Sequence, residues 1–295
     1  MAPPAERPLS DRAGGLTNLQ KRILSAAVLL PLVIAAIYLG HPYFTVLIIV
    51  FAGVAAWEWA RVAGSQRTSA TMPFPIAQDR QWPPIAVASA MVIMTVVILV
   101  GSPTAWPVIL CVVVGLTWLA LGFYSREWRR IAWTVPGVIY VALAGASLIL
   151  IRSDPDQGSA ALLWIIALVV AADTGGYLVG RTVGGPKLAP RISPNKTWSG
   201  LGGAVLGAAL AGLCTAFILN HTNVWMLTLI SAVLGLLEQG GDLVESAFKR
   251  HFGVKDTSQI IPGHGGVLDR VDGLLAVAVA VLVINLWAGG SVLAW

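Results

Sequence analysis

Charge is what this sequence has least of. Lys, Arg, Asp and Glu together make up 11% of its 295 residues, where an ordinary soluble domain carries roughly a quarter. That shortage excludes a water-solvated globular domain. A mean hydropathy of +0.78, with 57% hydrophobic residues, points instead to an integral membrane protein. Cysteine is nearly absent as well: Cys111 and Cys214 stand alone in apolar runs without CxxC spacing, which argues against a disulfide framework or a thiolate metal centre and leaves them a packing role. His41, His221 and His251 have no ligand partners at useful spacing. There are no heptads, no fixed-period repeat and no convincing inverted repeat, so nothing marks a coiled coil, a solenoid or a transporter built from related halves. The external connections "GHP", "GSPT", "RSDPDQGSA" and "NHTN" are too short for a receptor ectodomain.

Long apolar runs are present in their place. A bilayer core of about 30 Å needs ~20 apolar residues per helix, and such runs lie at 22–40, 43–60, 84–101, 105–123, 132–151, 158–180, 200–219, 223–246 and 273–293. The expected fold is all-α: a polytopic integral membrane protein of about nine transmembrane helices with a cytoplasmic amino terminus. With that orientation eighteen of the nineteen Lys and Arg residues fall inside and only Arg152 falls outside, as the positive-inside rule requires. The first run lacks a small-residue cleavage site and is followed by further spans, so it reads as a retained helix. Trp82, Trp106, Trp128, Trp133 and Trp225 fall at expected interfaces, as an aromatic belt would place them.

The chain divides into a mobile cytoplasmic tail at 1–20, N-terminal scaffold helices over 21–157 and a C-terminal catalytic half over 158–295. A polar stretch from Gly64 to Arg80 reads as a cytoplasmic loop or short interfacial helix. Ahead of Asp173 the spans carry almost no ionisable group apart from Glu58. After it, nearly every cytoplasmic helix end carries acid, base or glycine.

Four segments concentrate that chemistry. In "LEQGGDLVESAFKRHFGVKD", Glu238, Asp242, Glu245 and Lys249 stand at i, i+4, i+7 and i+11, one face of a helix. An ion-pair ladder of Glu245 with Lys249 accounts for part of this stripe. Asp242 has no basic residue at i+3 or i+4, so it is protonated, faces water or binds a metal. In "HGGVLDRVDG", Gly263, Gly265 and Gly266 permit positive φ around His264, and Asp269 and Asp272 flank Arg270 in a first helical turn. Ordinary N-terminal capping is one reading; a second metal-binding edge for a hard cation is the other. In "GGPKLAPRISPNKTWSG", Lys187, Arg191 and Lys196 cluster with Ser193, Asn195 and Thr197 where prolines discourage helix. That composition suits both a topology-setting basic loop and a phosphate cradle. Asp173, in "AADTGGYLVGR", is a lone intramembrane acid and hence a functional candidate. Gly203 and Gly207, at GxxxG spacing, report close helix packing. The acids and the basic loops converge at the cytoplasmic surface, where a polyphosphate and a lipid headgroup can meet.

Ser246-Ala-Phe-Lys249-Arg250, Lys255-Asp256, His264-Gly265-Gly266 and Asp269-Arg270-Val271-Asp272 resemble the C-terminal signature of the phosphatidate cytidylyltransferases. "SPNKTWSG" and "GDLVES" resemble the same family; Ser199 departs from it, standing where Glu or Gln is common. The resemblance implies Mg²⁺-dependent transfer from CTP to phosphatidate, giving CDP-diacylglycerol and pyrophosphate, at the cytoplasmic face of the plasma (inner) membrane. Asp242 and Asp269 are then the first expected metal ligands, with Asp272 and Asp173 next, and room is left for a second cation. Lys249, Arg250 and Lys255 are expected at phosphates, Arg270 at an adjacent phosphate, and Ser193, Asn195, Lys196 and Thr197 at headgroup or nucleotide. Ser246, Gly265 and Gly266 belong to the substrate-binding set, and His264 either donates to pyrophosphate or holds its loop. CTP, phosphatidate and membrane lipid are the implied partners; nucleic acid is not, and a homodimer is compatible.

Two rival readings fit the residues less well. A transporter would also carry intramembrane acids, but would place them at the midplane of related halves. The CDP-alcohol phosphotransferases need an Asp-Gly-x-x-Ala-Arg core, and "VDGLLAVAV" lacks its Arg.

Overall fold

The computed structural model describes residues 18–64, 128–220, 223–261 and 263–295. The expected spans at 84–101 and 105–123, nearly all of the tail, the stretch at 65–80, Cys111 and His221 lie outside the described residues, as do the side chains of Trp82, Trp106 and Trp128. Among the described residues the elements are α1 (Asn18–Leu39), α2 (Tyr43–Ala63), α3 (Trp128–Arg152), α4 (Gly158–Thr182), β1 (Lys187–Ala189), β2 (Ser193–Thr197), α5 (Trp198–Ile218), α6 (Val224–His251) and α7 (Leu268–Ala288). Six helices, α2 to α7, are long and apolar enough to cross a bilayer, and α1 holds a shorter apolar stretch, Ile23–Leu39. At about 1.5 Å per residue, the 21 residues of α5 or α7 match a hydrocarbon core of about 30 Å.

The packing inverts the soluble pattern. Large apolar side chains such as Leu206, Leu210, Leu229, Val233 and Trp287 point outward, while Ala204, Ala208, Ala278 and Ala144 are fully buried. In lipid the outward face costs nothing, and small residues let helices approach closely. A Cβ on Gly203 would lie 2.4 Å from the Gly175 carbonyl oxygen, and one on Gly175 would lie 2.3 Å from that of Gly203. The GxxxG residues therefore press α5 onto α4, one turn from Asp173.

Two apolar clusters share α7. One joins α4, α5, α6 and α7 around Trp164, Leu168, Leu234 and Val281, where the Trp164 indole N–H donates to Ser231 Oγ at 3.0 Å. The other joins α2, α3, α7 and the end of α6 around Ala56, Val141, Leu268 and Phe248. Arg152, the expected lone external cation, donates to the Ile37 carbonyl at 2.6 Å. It thus serves the carbonyls left open at the end of α1.

Several expectations need correction. The proline-containing basic segment is not plain loop but an antiparallel hairpin, pairing Lys187 with Thr197 and Ala189 with Ser193. Helix α7 begins five residues before the apolar run, because its first turn carries the acids that hydropathy excludes. Cys214 is exposed on α5 instead of packed.

Candidate active site

A cavity of about 530 Å³ opens among α4, the hairpin, the start of α5 and the middle of α6. Asp173, Asn195, Lys196, Thr197, Gln239 and Asp242 line it, together with Tyr177, Arg181 and Lys187. Its acids come from helices α4 and α6, while its bases come from the end of α4 and from the hairpin. Lys196 joins the two sets: its ammonium lies 2.6 Å from Asp242 Oδ2 and donates to Gln239 Oε1 at 2.9 Å. Gln239 Nε2 donates onward to Glu238 Oε2 at 2.8 Å, and Ser246 Oγ donates to Asp242 Oδ1 at 3.1 Å. Asp242 therefore has a basic partner that spacing along its own helix does not reveal. Asp173 and Asp272 both lie within electrostatic reach of Asp242.

A second polar group sits where α6 hands over to α7. Lys249 is held between Glu245 at 2.5 Å and Asp269 at 2.8 Å. Asp269 also accepts from the backbone N–H of Thr257 at 3.0 Å, the Thr257 hydroxyl at 3.1 Å and the N–H of Gly266 at 2.9 Å. It reaches back three residues and closes the glycine loop onto the helix start, which is the capping geometry read from sequence. Gly263 and Gly265 take positive φ, at 77° and 92°. Gly266 does not; it is glycine for want of space, since a Cβ there would fall 2.1 Å from Thr257 Oγ1 and 2.7 Å from Glu58 Oε1.

The remaining expected residues take separate places. Thr197 caps α5, accepting from the Gly200 N–H at 3.1 Å, and Ser199 donates to the Gly184 carbonyl, fastening the turn before the hairpin. Ser193 lies in β2 outside the cavity lining. His264 Nδ1 is 2.7 Å from Ser25 Oγ of α1, and Arg270 Nε donates to the His264 carbonyl at 2.9 Å. Arg250 is exposed and donates to the Ile192 and Val254 carbonyls, both at 3.3 Å; Lys255 is also exposed. Gln239, Tyr177 and Arg181 were absent from the expected site. Gln239 was the most readable of them, as the neighbour of Glu238 on the acidic stripe.

The donor set suits a hard divalent ion in one form only. Among the described residues no group of three Asp, Glu, His or Cys side chains is placed to cage an ion unaided. Mg²⁺ commonly takes one or two carboxylates and fills its shell with phosphate and water. Asp242 and Asp173, facing one cavity that also holds three basic side chains, fit that form. Asp269 is engaged by Lys249 as Asp242 is by Lys196, but it does not line this cavity.

A second, apolar cavity of about 590 Å³ lies between α1, α2 and the loop, lined by Leu24, Val28, Phe51, Val54, Ile260, Ile261 and Val267.

Residues 20–287 match the model of the cytidylyltransferase family. A Brucella suis protein named phosphatidate cytidylyltransferase is 35% identical over 264 residues, covering 89% of this chain and 92% of its own. A Pseudomonas aeruginosa protein of the same name is 33% identical over 284 residues, covering 92% and 98%. A Staphylococcus epidermidis protein, again of that name, is 44% identical over 138 residues, covering 46% and 53%.

Proposed function

We propose that this chain, which belongs to the cytidylyltransferase family, is the membrane enzyme that joins CTP to phosphatidate, forming CDP-diacylglycerol and pyrophosphate. The carrying observation is the polar cavity, where carboxylates of two apolar helices meet the bases of a hairpin. Burying such groups beside lipid is costly without a use for them.

In this reading an oxygen of the phosphatidate phosphate attacks the α-phosphorus of CTP. The new P–O bond forms as the bond to the bridging oxygen breaks, and pyrophosphate leaves with the electron pair. No strong general base is needed, because a phosphate monoester is already ionised at neutral pH. The chain's work is to bring two polyanions into line and neutralise them. Lys196, Lys187 and Arg181 face the triphosphate, and the amides of Asn195 and Gln239 give directional hydrogen bonds. Mg²⁺ would be held by Asp242 with Asp173, with Asp272 in reach of the pair, and would offset charge building on the departing pyrophosphate. Asp269 would join it by releasing Lys249, whose ammonium would then be free for a phosphate. Arg250 in the last turn of α6, Lys255 in the segment after it and Arg270 in the first turn of α7 are exposed and suit the phosphatidate headgroup and the anionic leaflet. Acyl chains lie against the apolar helices, with the groove beside α1 and α2 offering one such surface.

The distribution of Lys and Arg supports nine spans, an amino terminus in the cytoplasm and a site on that side of the plasma membrane. The cavity-lining residues all fall within 158–295, in keeping with a catalytic second half over an N-terminal scaffold. The test uses purified protein in detergent with phosphatidate and radiolabelled CTP: label enters lipid only when Mg²⁺ is present. A proteoliposome flux of solute without CTP turnover would favour a transporter.

A further inference from the structure

We infer that Glu58 is a positioning residue of the transfer site: from the first half of the chain it holds the loop and helix start that carry His264, Asp269 and Asp272. The inference rests on the reading of the chain as a phosphatidate cytidylyltransferase.

Glu58 lies on α2 and is fully buried, at 0% exposure. Four donors converge on its carboxylate. Oε1 accepts from Ser258 Oγ at 2.5 Å and from the Val267 N–H at 3.0 Å. Oε2 accepts from the Leu268 N–H at 2.7 Å and from Thr257 Oγ1 at 3.2 Å. The first N–H groups of any helix lack partners within it; Val267, at the N-cap of α7, makes no side-chain cap bond, and Asp269 serves Gly266 just ahead of the helix, leaving the Val267 and Leu268 N–H groups to Glu58. Its cap is supplied from about two hundred residues away. A carboxylate at that end also meets the positive pole of the helix.

The contact continues toward the proposed chemistry. The Thr257 hydroxyl stands 3.2 Å from Glu58 and 3.1 Å from Asp269 and shares its single hydrogen between them, while its backbone N–H donates to Asp269 at 3.0 Å, so both acids converge on one residue. Gly266 leaves the space that lets Glu58 in. All four donors belong to the 257–268 segment, so Glu58 fixes the elements that present the acids and none of the α4 and α5 contacts behind the cavity. An amide in its place would turn an NH₂ group toward backbone N–H donors and unseat the loop.

The test is made on the full chain in detergent, with labelled CTP transfer, thermal unfolding and amide hydrogen exchange read together. Glu58→Gln is expected to lose roughly 100-fold in kcat, the scale of an ångström-level misplacement. Exchange should quicken over residues 256–268 and stay unchanged in α4 and α5. Glu58→Asp, which keeps the charge, should recover part of the loss. Ser231→Ala, which removes a buried hydrogen bond to Trp164, should lower the unfolding temperature without changing kcat. A folded Glu58→Gln protein with wild-type turnover, or with wild-type loop exchange, would overturn the inference. If Glu58→Gln fails to fold, Ser258→Ala takes its place: slower turnover with faster loop exchange supports the clamp, and wild-type values for both refute it. A wild-type protein that transfers no label, while Glu58→Gln still loosens the loop, would sink the cytidylyltransferase reading and leave a purely structural clamp.

Discussion

Lys196 of the hairpin and Asp242 of α6 meet at 2.6 Å, tying the basic segment before α5 to the acidic stripe on α6. The lysine also holds Gln239, so one ammonium orders two side chains of the cavity. Replacing either partner of the pair removes a charge from the place where the triphosphate is proposed to sit. Asp242→Asn and Lys196→Met are each expected to lower kcat/KM by about 10²- to 10³-fold. Both should keep the wild-type yield of folded protein, checked by transfer assay and size-exclusion profile on the same preparations.

Lys249 has a different role to lose. It separates Glu245 and Asp269, whose side chains are each 4% exposed. Lys249→Met would strand the buried Glu245 carboxylate and leave Asp269 with only its Thr257 and Gly266 donors, at a cost of about 3–5 kcal/mol. A clear fall in the thermal unfolding midpoint is expected along with loss of transfer, whereas Lys196→Met should lose transfer alone.

Neighbouring glycines on α5 should behave oppositely. A Cβ at Gly203 collides with the Gly175 carbonyl, while one at Gly202 meets nothing within 4 Å. Gly203→Ala is expected to destabilise by roughly 1–3 kcal/mol through overpacking and to impair transfer by shifting Asp173. Gly202→Ala should be neutral or slightly stabilising, since Ala favours helix by about 1 kcal/mol over Gly. Paired unfolding curves in detergent distinguish the two.

Removing divalent cations with EDTA should stop transfer while leaving the unfolding midpoint close to its starting value in the absence of CTP. The fold is carried by helix packing, and the proposed ion enters with the nucleotide. A large fall in midpoint on chelation would mean a resident structural ion instead.

Among the described residues the six apolar helices and the acidic stripe of α6 were legible in the sequence, because hydropathy and helical periodicity act over short distances. Glu238, Asp242, Glu245 and Lys249 read as one face, and the structure sets Glu238 and Glu245 inward at 1% and 3% exposure. What it hid are partnerships across the chain. Lys196 lies 46 positions before Asp242, so spacing within the helix leaves Asp242 without a basic partner. Glu58 looked like an isolated acid in a scaffold helix, because two of its partners are backbone N–H groups, which no residue identity announces. The hairpin leaves almost no alternation to read, since its strands are three and five residues long, with Pro186 and Pro190 flanking the first and Pro194 inside the second. Gln239, uncharged, gave no signal beyond its place beside Glu238.

The most direct measurement is where the nucleotide binds. A photoreactive CTP analogue is cross-linked to the purified protein with Mg²⁺, and the modified peptides are mapped by mass spectrometry. The account expects label in the hairpin over 187–197 and in the α4 and α6 segments around Asp173 and Asp242, displaced by excess CTP. Competed label confined to α1, α2 or the α5 lipid face, with the hairpin untouched, would contradict it.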